Sequence, residues 1–400
     1  MRVALIADTF PPLRTSGAVQ LRDLSREFVR QGHRLTVMLP SSDLDRAWSL
    51  EERDGVEVLR LRAPRIKDID YLRRTLGELV MPFSMLRNLQ RSPFATERWD
   101  GVVWYAPSIF HGPLASALKA RSGCRGYLII RDIFPEWAVD MRLMGRGLPY
   151  LFFRAIARYQ YAVADIIGVQ TAGNLKYFEG WSRGVGRKAE VLQNWLGPVG
   201  HLGCSLRMDA TPLAGRKVFV YAGNMGVAQG MDILLDLAER FRLREDVGFL
   251  FVGRGSDAGR LAEEAKRRGL CNVLFLDEID PDEIPGLYAQ CHVGMVALDP
   301  RHQSHNIPGK FVTYMQSGLP VLANINPGND LVGMIRRERV GRVSEDNAVD
   351  TLYRMAEELL AEGEDGADVS GRCRGLFERL FSAETAVRQI VSALGDGAGG

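Results

Sequence analysis

The stretch VFVYAGNMGVAQGMDILL, residues 218–235, decides how the chain is read. Its first four residues form an apolar run suited to a buried strand, and from Met231 to Leu243 apolar residues recur at helical spacing. Between them Gly223, Gly226 and Gly230 stand within eight residues, where the backbone turns from strand to helix and can approach an anion closely. The same order repeats outward. Residues 248–252 read as a strand and 259–268 as a helix, followed by short apolar strands at 273–275, 293–297 and 321–323. Upstream, strands fit 3–6, 35–39, 56–61, 101–104, 126–130 and 166–169; 19–31 reads as a helix, and 71–90 as a helix interrupted by Pro82. Such alternation implies right-handed parallel crossovers. The expected class is α/β: two Rossmann-like, doubly wound parallel sheets facing a cleft, joined by a Gly- and Pro-rich linker at 197–212. Ligands of these sheets bind beyond the carboxyl ends of the strands, so residues just after strands carry the chemistry.

Composition narrows the classes. The 400 residues are 46% hydrophobic and 25% charged with a net charge of +2, an ordinary globular balance that gives no argument for nucleic acid. Five scattered cysteines with no C-x-x-C pair fit reduced thiols in a cytoplasm, not zinc. The N-terminus, MRVALIADTF, reads as a buried strand and makes a poor signal peptide, and no apolar run is long enough to span a membrane. The loop after the first strand lacks the dinucleotide fingerprint G-x-G-x-x-G, and the P-loop signature G-x-x-x-x-G-K-[ST] is missing from the chain. D-x-D occurs at 43–45, 68–70 and 280–282, never after a clear strand, so no metal site is read.

Several post-strand segments invite two readings. The loop from Asp8 to Gly17 is either a ligand-binding turn or a plain connection with Ser16 as the helix cap. FVGRGSD (251–257) ends a strand with Arg254 between Gly253 and Gly255; a lone arginine there is as often a surface residue as a ligand. RDIFPEW (131–137) places Arg131, Asp132 and Glu136 at a strand end, as site or as a turn held by an Arg–Asp pair. His111 is also post-strand, though a lone histidine is commonly structural. PGKFVTYMQSGLPVLA (308–323) starts a short helix with Lys310, where the dipole disfavours a cation unless an anion binds both it and the helix N–H groups.

Taken in order, the Gly17 loop, EFVRQGHRLTVML (27–39), YAGNMGVAQGMDILL, FVGRG, IPGLYAQCHVGMVAL (284–298) and PGKFVTYMQSGLPVLA resemble the retaining family 4 glycosyltransferases. RDIFPEWAVD and YAGNMGVAQG look like members that build O-antigen and other surface polysaccharides, some handling N-acetylated amino sugars. The resemblance implies a GT-B fold: residues 1–200 an acceptor-side domain, 213–370 a nucleotide-sugar domain, and 371–394 a helical segment packing back on the first domain. It implies metal-independent transfer without a cofactor, from a UDP-sugar more readily than a GDP-sugar to a lipid-linked saccharide. By the same resemblance Lys310 and Arg254 face the diphosphate, Asp132 and Arg131 position the donor sugar or acceptor, and His111 and Glu136 lie on the acceptor side. Ser16, Gly17, Gly223, Asn224, Met225, Gly226, Gln229, Gly253, Glu278, Asn306, Pro308, Gly309 and Thr313 are expected around the donor. The chain departs from the family where a ribose-binding glutamate is usual (Thr313, with His305 eight residues earlier) and where a basic pair is usual (Asn224 and Gln229). A sugar-nucleotide 2-epimerase and a non-catalytic sugar-nucleotide-binding protein remain as alternatives.

Residues 142–188 carry eight Lys/Arg against two Asp/Glu. Within them Leu151, Phe152, Ala155, Ile156 and Tyr159 fall along one side of a helix beside Arg154 and Arg158, which reads either as a core-packing helix or as a patch for the anionic inner leaflet. The latter places the protein peripherally on the cytoplasmic face of a bacterial plasma membrane.

Overall fold

A computed structural model describes residues 1–396 except 14, 68, 141, 200–202, 300–305 and 365–367. The chain divides into two compact units, Met1–Gly197 with Ala383–Gly400, and Pro198–Ser382.

The first unit runs β1 (Arg2–Ile6), α1 (Ser16–Arg30), β2 (Arg34–Ser41), β3 (Trp48–Arg53), β4 (Val56–Arg62), α2 (Tyr71–Leu89), β5 (Gly101–Tyr105) and α3 (Gly112–Ser122). It continues through β6 (Arg125–Ile130), α4 (Glu136–Asp140), α5 (Leu148–Val163), β7 (Ile166–Val169), α6 (Glu179–Ser182) and β8 (Lys188–Val191). The strand order is β3-β4-β2-β1-β5-β6-β7-β8, parallel except for β3 against β4. Central strands such as β5 and β7 are buried along their whole length, as a sheet covered on both faces requires. One face is covered by α2, α3 and α5 over a core that includes Trp104, Leu114 and Leu128. The other meets α1 and the final helix, α14 (Ala383–Gly395, numbered after the second unit's helices), around Phe28, Val387 and Ile390. Chain order reverses between β1 and β5, so the loops after these strands frame the switch point.

The second unit runs β9 (Lys217–Ala222), α7 (Asp232–Arg240), β10 (Val247–Val252), α8 (Ala258–Arg267), β11 (Val273–Leu276), α9 (Ile284–Tyr288) and β12 (Val293–Ala297). Then come α10 (Gly309–Ser317), β13 (Val321–Asn324), α11 (Asp330–Glu338), β14 (Gly341–Ser344), α12 (Val349–Glu364) and α13 (Val369–Leu380). Its wholly parallel sheet has the order β11-β10-β9-β12-β13-β14, the dinucleotide-type arrangement with its switch point between β9 and β12.

Three expectations are corrected. Thr15, not Ser16, caps α1: its side chain accepts from the Ala18 N–H, and Ser16 is the first helical residue. α2 continues through Pro82, because Met81, Met85 and Leu89 anchor it in the core on both sides of one missing hydrogen bond. The segment 371–394 is divided: α13 stays in the second unit, where Phe381 just beyond it meets Phe311 edge-on at 6.0 Å, while α14 packs on α1.

Candidate functional site

In the second unit the loops after β9 and β10 extend the strand pairing beyond the sheet. The Gly223 N–H donates to Val252 O (2.9 Å), the Met225 N–H to Arg254 O (2.8 Å) and the Asp257 N–H to Met225 O (2.9 Å). This contact leaves no room for side chains. At Gly253 (φ 142°) a Cβ would stand 2.1 Å from Gly223 O, and at Gly255 (φ 154°) 2.2 Å from Met225 O. Met225 is buried and pins the turn from below. The Gly226 N–H donates to Gln229 Oε1 (2.9 Å), which also accepts from Asn224 Nδ2 (3.3 Å). Gly230 (φ 56°) turns the chain against Asp299, the second residue after β12, so the glycine loop lies at the switch point.

Lys310 reaches the same loop. It is the second residue of α10, whose N-cap, Pro308, makes no side-chain cap, and Gly309 is exposed. Pro308 lacks a side-chain acceptor, so the first N–H groups of the helix keep their capacity for an anion. The half-buried Lys310 ammonium donates to Tyr221 Oη at 2.9 Å and lies 4.3 Å from the centre of that ring. Its Cε is 3.7 Å from where a Cβ on Gly223 would be. Tyr221 Oη in turn donates to Asn224 O at 2.7 Å, and burial pushes its pKa up, keeping it a donor. Burial lowers Lys310 to about 8. A cation beside a helix N-terminus in this setting is under-compensated, and a bound diphosphate would restore its charge.

The other expected donor residues scatter more. Arg254 pairs with Glu278 at 3.0 Å, but both are largely exposed, so the pair holds weakly and can open to a ligand. Thr313 is half-buried and its hydroxyl donates to Gly309 O at 3.4 Å, one turn back in α10. Asn306 is half-buried just before the helix. His305 lies outside the described residues.

In the first unit the loop after β1 approaches the end of β5. A Cβ on Gly17 would lie 3.3 Å from Thr9 Cγ2 and 3.4 Å from the Tyr105 hydroxyl, which donates to Gln20 Oε1 (3.2 Å). Ser16 is exposed beside it. Arg131 was expected to touch substrate, and its guanidinium is instead buried: Nη1 donates to Leu192 O (3.0 Å) and the group lies 4.3 Å from the Trp195 ring centre. Burial lowers its pKa, opposed by Tyr105, Tyr127 and Asp132. Asp132 is exposed yet closely surrounded; desolvation raises its carboxyl pKa, with Arg131 opposing. Glu136 opens α4 and is half-buried. His111, expected on the acceptor side, is fully buried at the start of α3, with both ring nitrogens lacking a hydrogen-bond partner among the described residues. Burial pushes its pKa down, against the field of Asp8. It belongs to the wall behind the loops, not to their surface. Among the described residues no group of three His, Cys, Asp or Glu could share a metal ion.

Sequence reasoning passed over Tyr221 and Tyr105, which hold Lys310 and the Gly17 turn. Their only signal was position at the ends of β9 and β5, and aromatic residues there read first as core.

The family profile described as "Glycosyl transferases group 1" matches residues 216–362, the region that holds the glycine loop, Arg254 and Lys310. The chain carries a group 1 glycosyltransferase domain. Over 220 residues it is 28% identical to the protein of Escherichia coli K12 named as colanic acid biosynthesis glycosyl transferase WcaI, covering 50% of this chain and 52% of that one. The match thus spans about half the length of that relative. The fold is GT-B. Sucrose-phosphate synthase from Thermosynechococcus elongatus superposes with a TM-score of 0.69 at 14% identity, over 98% of this chain and 97% of that chain. Anabaena HepE, solved in complex with UDP-glucose, superposes with a TM-score of 0.65 at 15% identity, over 98% and 99%. The loop–helix pair of Gly223–Gly226 and Gly309–Lys310 lies inside the matched residues.

Proposed function

We propose that the protein is a retaining glycosyltransferase that moves a hexose or an N-acetylated amino sugar from a UDP-sugar to a lipid-linked saccharide during synthesis of O-antigen or a related surface polysaccharide. The observation that carries this reading is Lys310, a lysine of lowered pKa at the uncapped start of α10 beside the glycine loop, inside the family-matched region. HepE, bound to UDP-glucose, and WcaI, named for colanic acid biosynthesis, support the donor and the pathway class.

On this reading Lys310 exchanges the Tyr221 hydroxyl for a diphosphate oxygen, and Arg254 leaves Glu278 for the same group. The Gly309 N–H and the Gly226 N–H, the latter released from Gln229, add neutral donors. The bond from the anomeric carbon to the phosphate oxygen breaks as charge builds on the diphosphate, which these groups stabilise. The acceptor hydroxyl forms its bond to the anomeric carbon on the same face, and its proton passes to the departing phosphate oxygen. Asp132 and Glu136 orient sugar hydroxyls; no side chain acts as nucleophile. The basic residues of 142–188 hold the protein peripherally at the anionic inner leaflet, where a lipid-linked acceptor resides.

Calorimetry with UDP and GDP, followed by transfer assays with UDP-sugars and a lipid-diphosphate saccharide, tests the reading. UDP release that depends on acceptor, with the donor's anomeric configuration kept in the product, is expected. An inverted product or absence of UDP binding overturns it, and conversion of the donor without acceptor assigns the epimerase reading instead.

A further inference from the structure

The helix α2 presents an apolar stripe to solvent. Leu72, Leu76, Val80 and Phe83 follow one another at helical spacing and are 72%, 54%, 50% and 60% exposed. The opposite face is fixed in the core by Met81, Met85 and Leu89, and a Cβ on Gly77 would stand 2.8 Å from Arg65 O, so the helix sits too close to its preceding loop to roll the stripe inward. A row of large apolar side chains turned outward costs solubility and marks an interaction surface.

The stripe has a continuation. α2 and α5 flank α3 on the same face of the first sheet. On α5, Leu148, Leu151, Phe152 and Tyr159 are exposed while Ala157 and Gln160 are buried. Trp137 on α4 adds an exposed aromatic in contact with Phe134, at 6.3 Å between ring centres. Of the nineteen large apolar side chains exposed among the described residues, eleven lie on α2, α4, α5 or the α4–α5 turn, so the exposure is concentrated on one layer of one unit.

Charge selects the occupant. Residues 71–89 and 136–163 together carry seven arginines and three acidic residues, Glu78, Glu136 and Asp140, whereas the whole chain is only +2. Glu78 is already paired with Arg74 at 3.0 Å. Arg73 and Arg87 flank the stripe on α2; Arg146, Arg154 and Arg158 stand along the α5 side. Exposed leucine and aromatic side chains bordered by arginines that outnumber the acidic residues among them match a surface with an apolar interior under anionic head groups.

We propose that α2 lies in the plane of an anionic lipid bilayer and inserts Leu72, Leu76, Val80 and Phe83 among the acyl chains, with the exposed end of α5 as a second contact. The inference rests on the peripheral placement proposed above and deepens it: the holding force is apolar insertion by α2, not the basic segment alone. The two make different salt predictions, because charge attraction fades with ionic strength whereas insertion does not.

The test is co-sedimentation of the full chain with vesicles of phosphatidylglycerol and phosphatidylethanolamine, and with phosphatidylcholine vesicles, at low and high salt. It compares wild type, a Leu72→Ser/Leu76→Ser/Phe83→Ser variant and an Arg146→Glu/Arg154→Glu/Arg158→Glu variant. The changed side chains are exposed except Arg154, which is half-buried over the Tyr150 ring, so UDP affinity with thermal unfolding checks that the fold is kept. Wild type is expected to bind the anionic vesicles and to keep part of that binding at high salt. The serine variant is expected to bind about tenfold more weakly or worse at both salts. The charge-reversed variant is expected to lose binding chiefly at low salt. Serine-variant binding equal to wild type overturns this inference and leaves the basic segment as the anchor. Wild type binding neither vesicle overturns the peripheral placement as well. A wild type that light scattering shows to be dimeric, with the serine variant monomeric, gives the stripe to a second copy and overturns the bilayer assignment.

Discussion

At the scale of single residues the proposed donor half-site turns on Lys310 and the tyrosine that holds it. The ammonium sits against the Tyr221 ring and hydroxyl, and its lowered pKa means that binding an anion is coupled to binding a proton. The sign follows directly. Below about 8 the lysine is charged and ready; above it the neutral amine must take up a proton when diphosphate binds. UDP affinity should therefore be flat near pH 7 and fall by up to about tenfold per pH unit above 8. A Lys310→Arg variant, always charged, should lose that slope, which calorimetry across pH 6.5 to about 9.5 measures. Lys310→Ala should weaken UDP by about 1.5–3 kcal/mol, the loss of one charge-assisted contact, and unchanged affinity and turnover would remove the residue from the site. Thr313 tests the ribose pocket. Its hydroxyl is committed to Gly309 O, so Thr313→Glu should change UDP affinity only if the ribose lies over the first turn of α10.

At the scale of elements, the two glycine loops act as one piece, because β9 and β10 continue to pair beyond their ends. The geometry forbids a side chain at Gly255, where a Cβ would meet Met225 O and φ is 154°. Gly255→Ala should cost about 1–3 kcal/mol in backbone strain alone and weaken UDP through the displaced loop. Gly259 in the first turn of α8 has open space around its Cβ position, so Gly259→Ala should stabilise by up to about 1 kcal/mol with UDP binding intact. Thermal unfolding of the two variants, read beside UDP titration, separates the loop contact from a general intolerance of change. The contrast decides whether these glycines serve the site or only the turn.

For the whole molecule, the chain's end belongs to its beginning. α14 buries Val387, Ile390 and Leu394 in the core shared with α1, and the Ala383 N–H donates to Leu196 O at 2.9 Å. Ending the chain at Ser382 should remove roughly 5 kcal/mol or more of apolar burial from the first unit, seen as an earlier thermal transition. Transfer should persist in excess EDTA, since in the proposed site Lys310, Arg254 and helix N–H groups offset the diphosphate charge; activity lost on chelation and restored by Mg²⁺ would overturn that. The sequence alone determined the parallel α/β class and the strands at 166–169 and 293–297, because period and apolar runs are local properties that any buried parallel strand must show. It also marked the glycine loop and Lys310, whose residue types serve few other purposes at a strand-to-helix turn. It missed β3, β8 and β14: β3 is an exposed edge strand rich in charge, β8 is four residues at the other edge with two of them charged, and β14 is four residues with an arginine in the middle. It left open whether Arg131 faces a ligand or the core, whether the terminal helix returns to the first unit, and which side of α2 meets solvent. Those were decided only by tertiary structure. Each depends on which surface, distant in sequence, covers a side chain, and a periodic pattern states that a helix has two faces without naming what lies against either one.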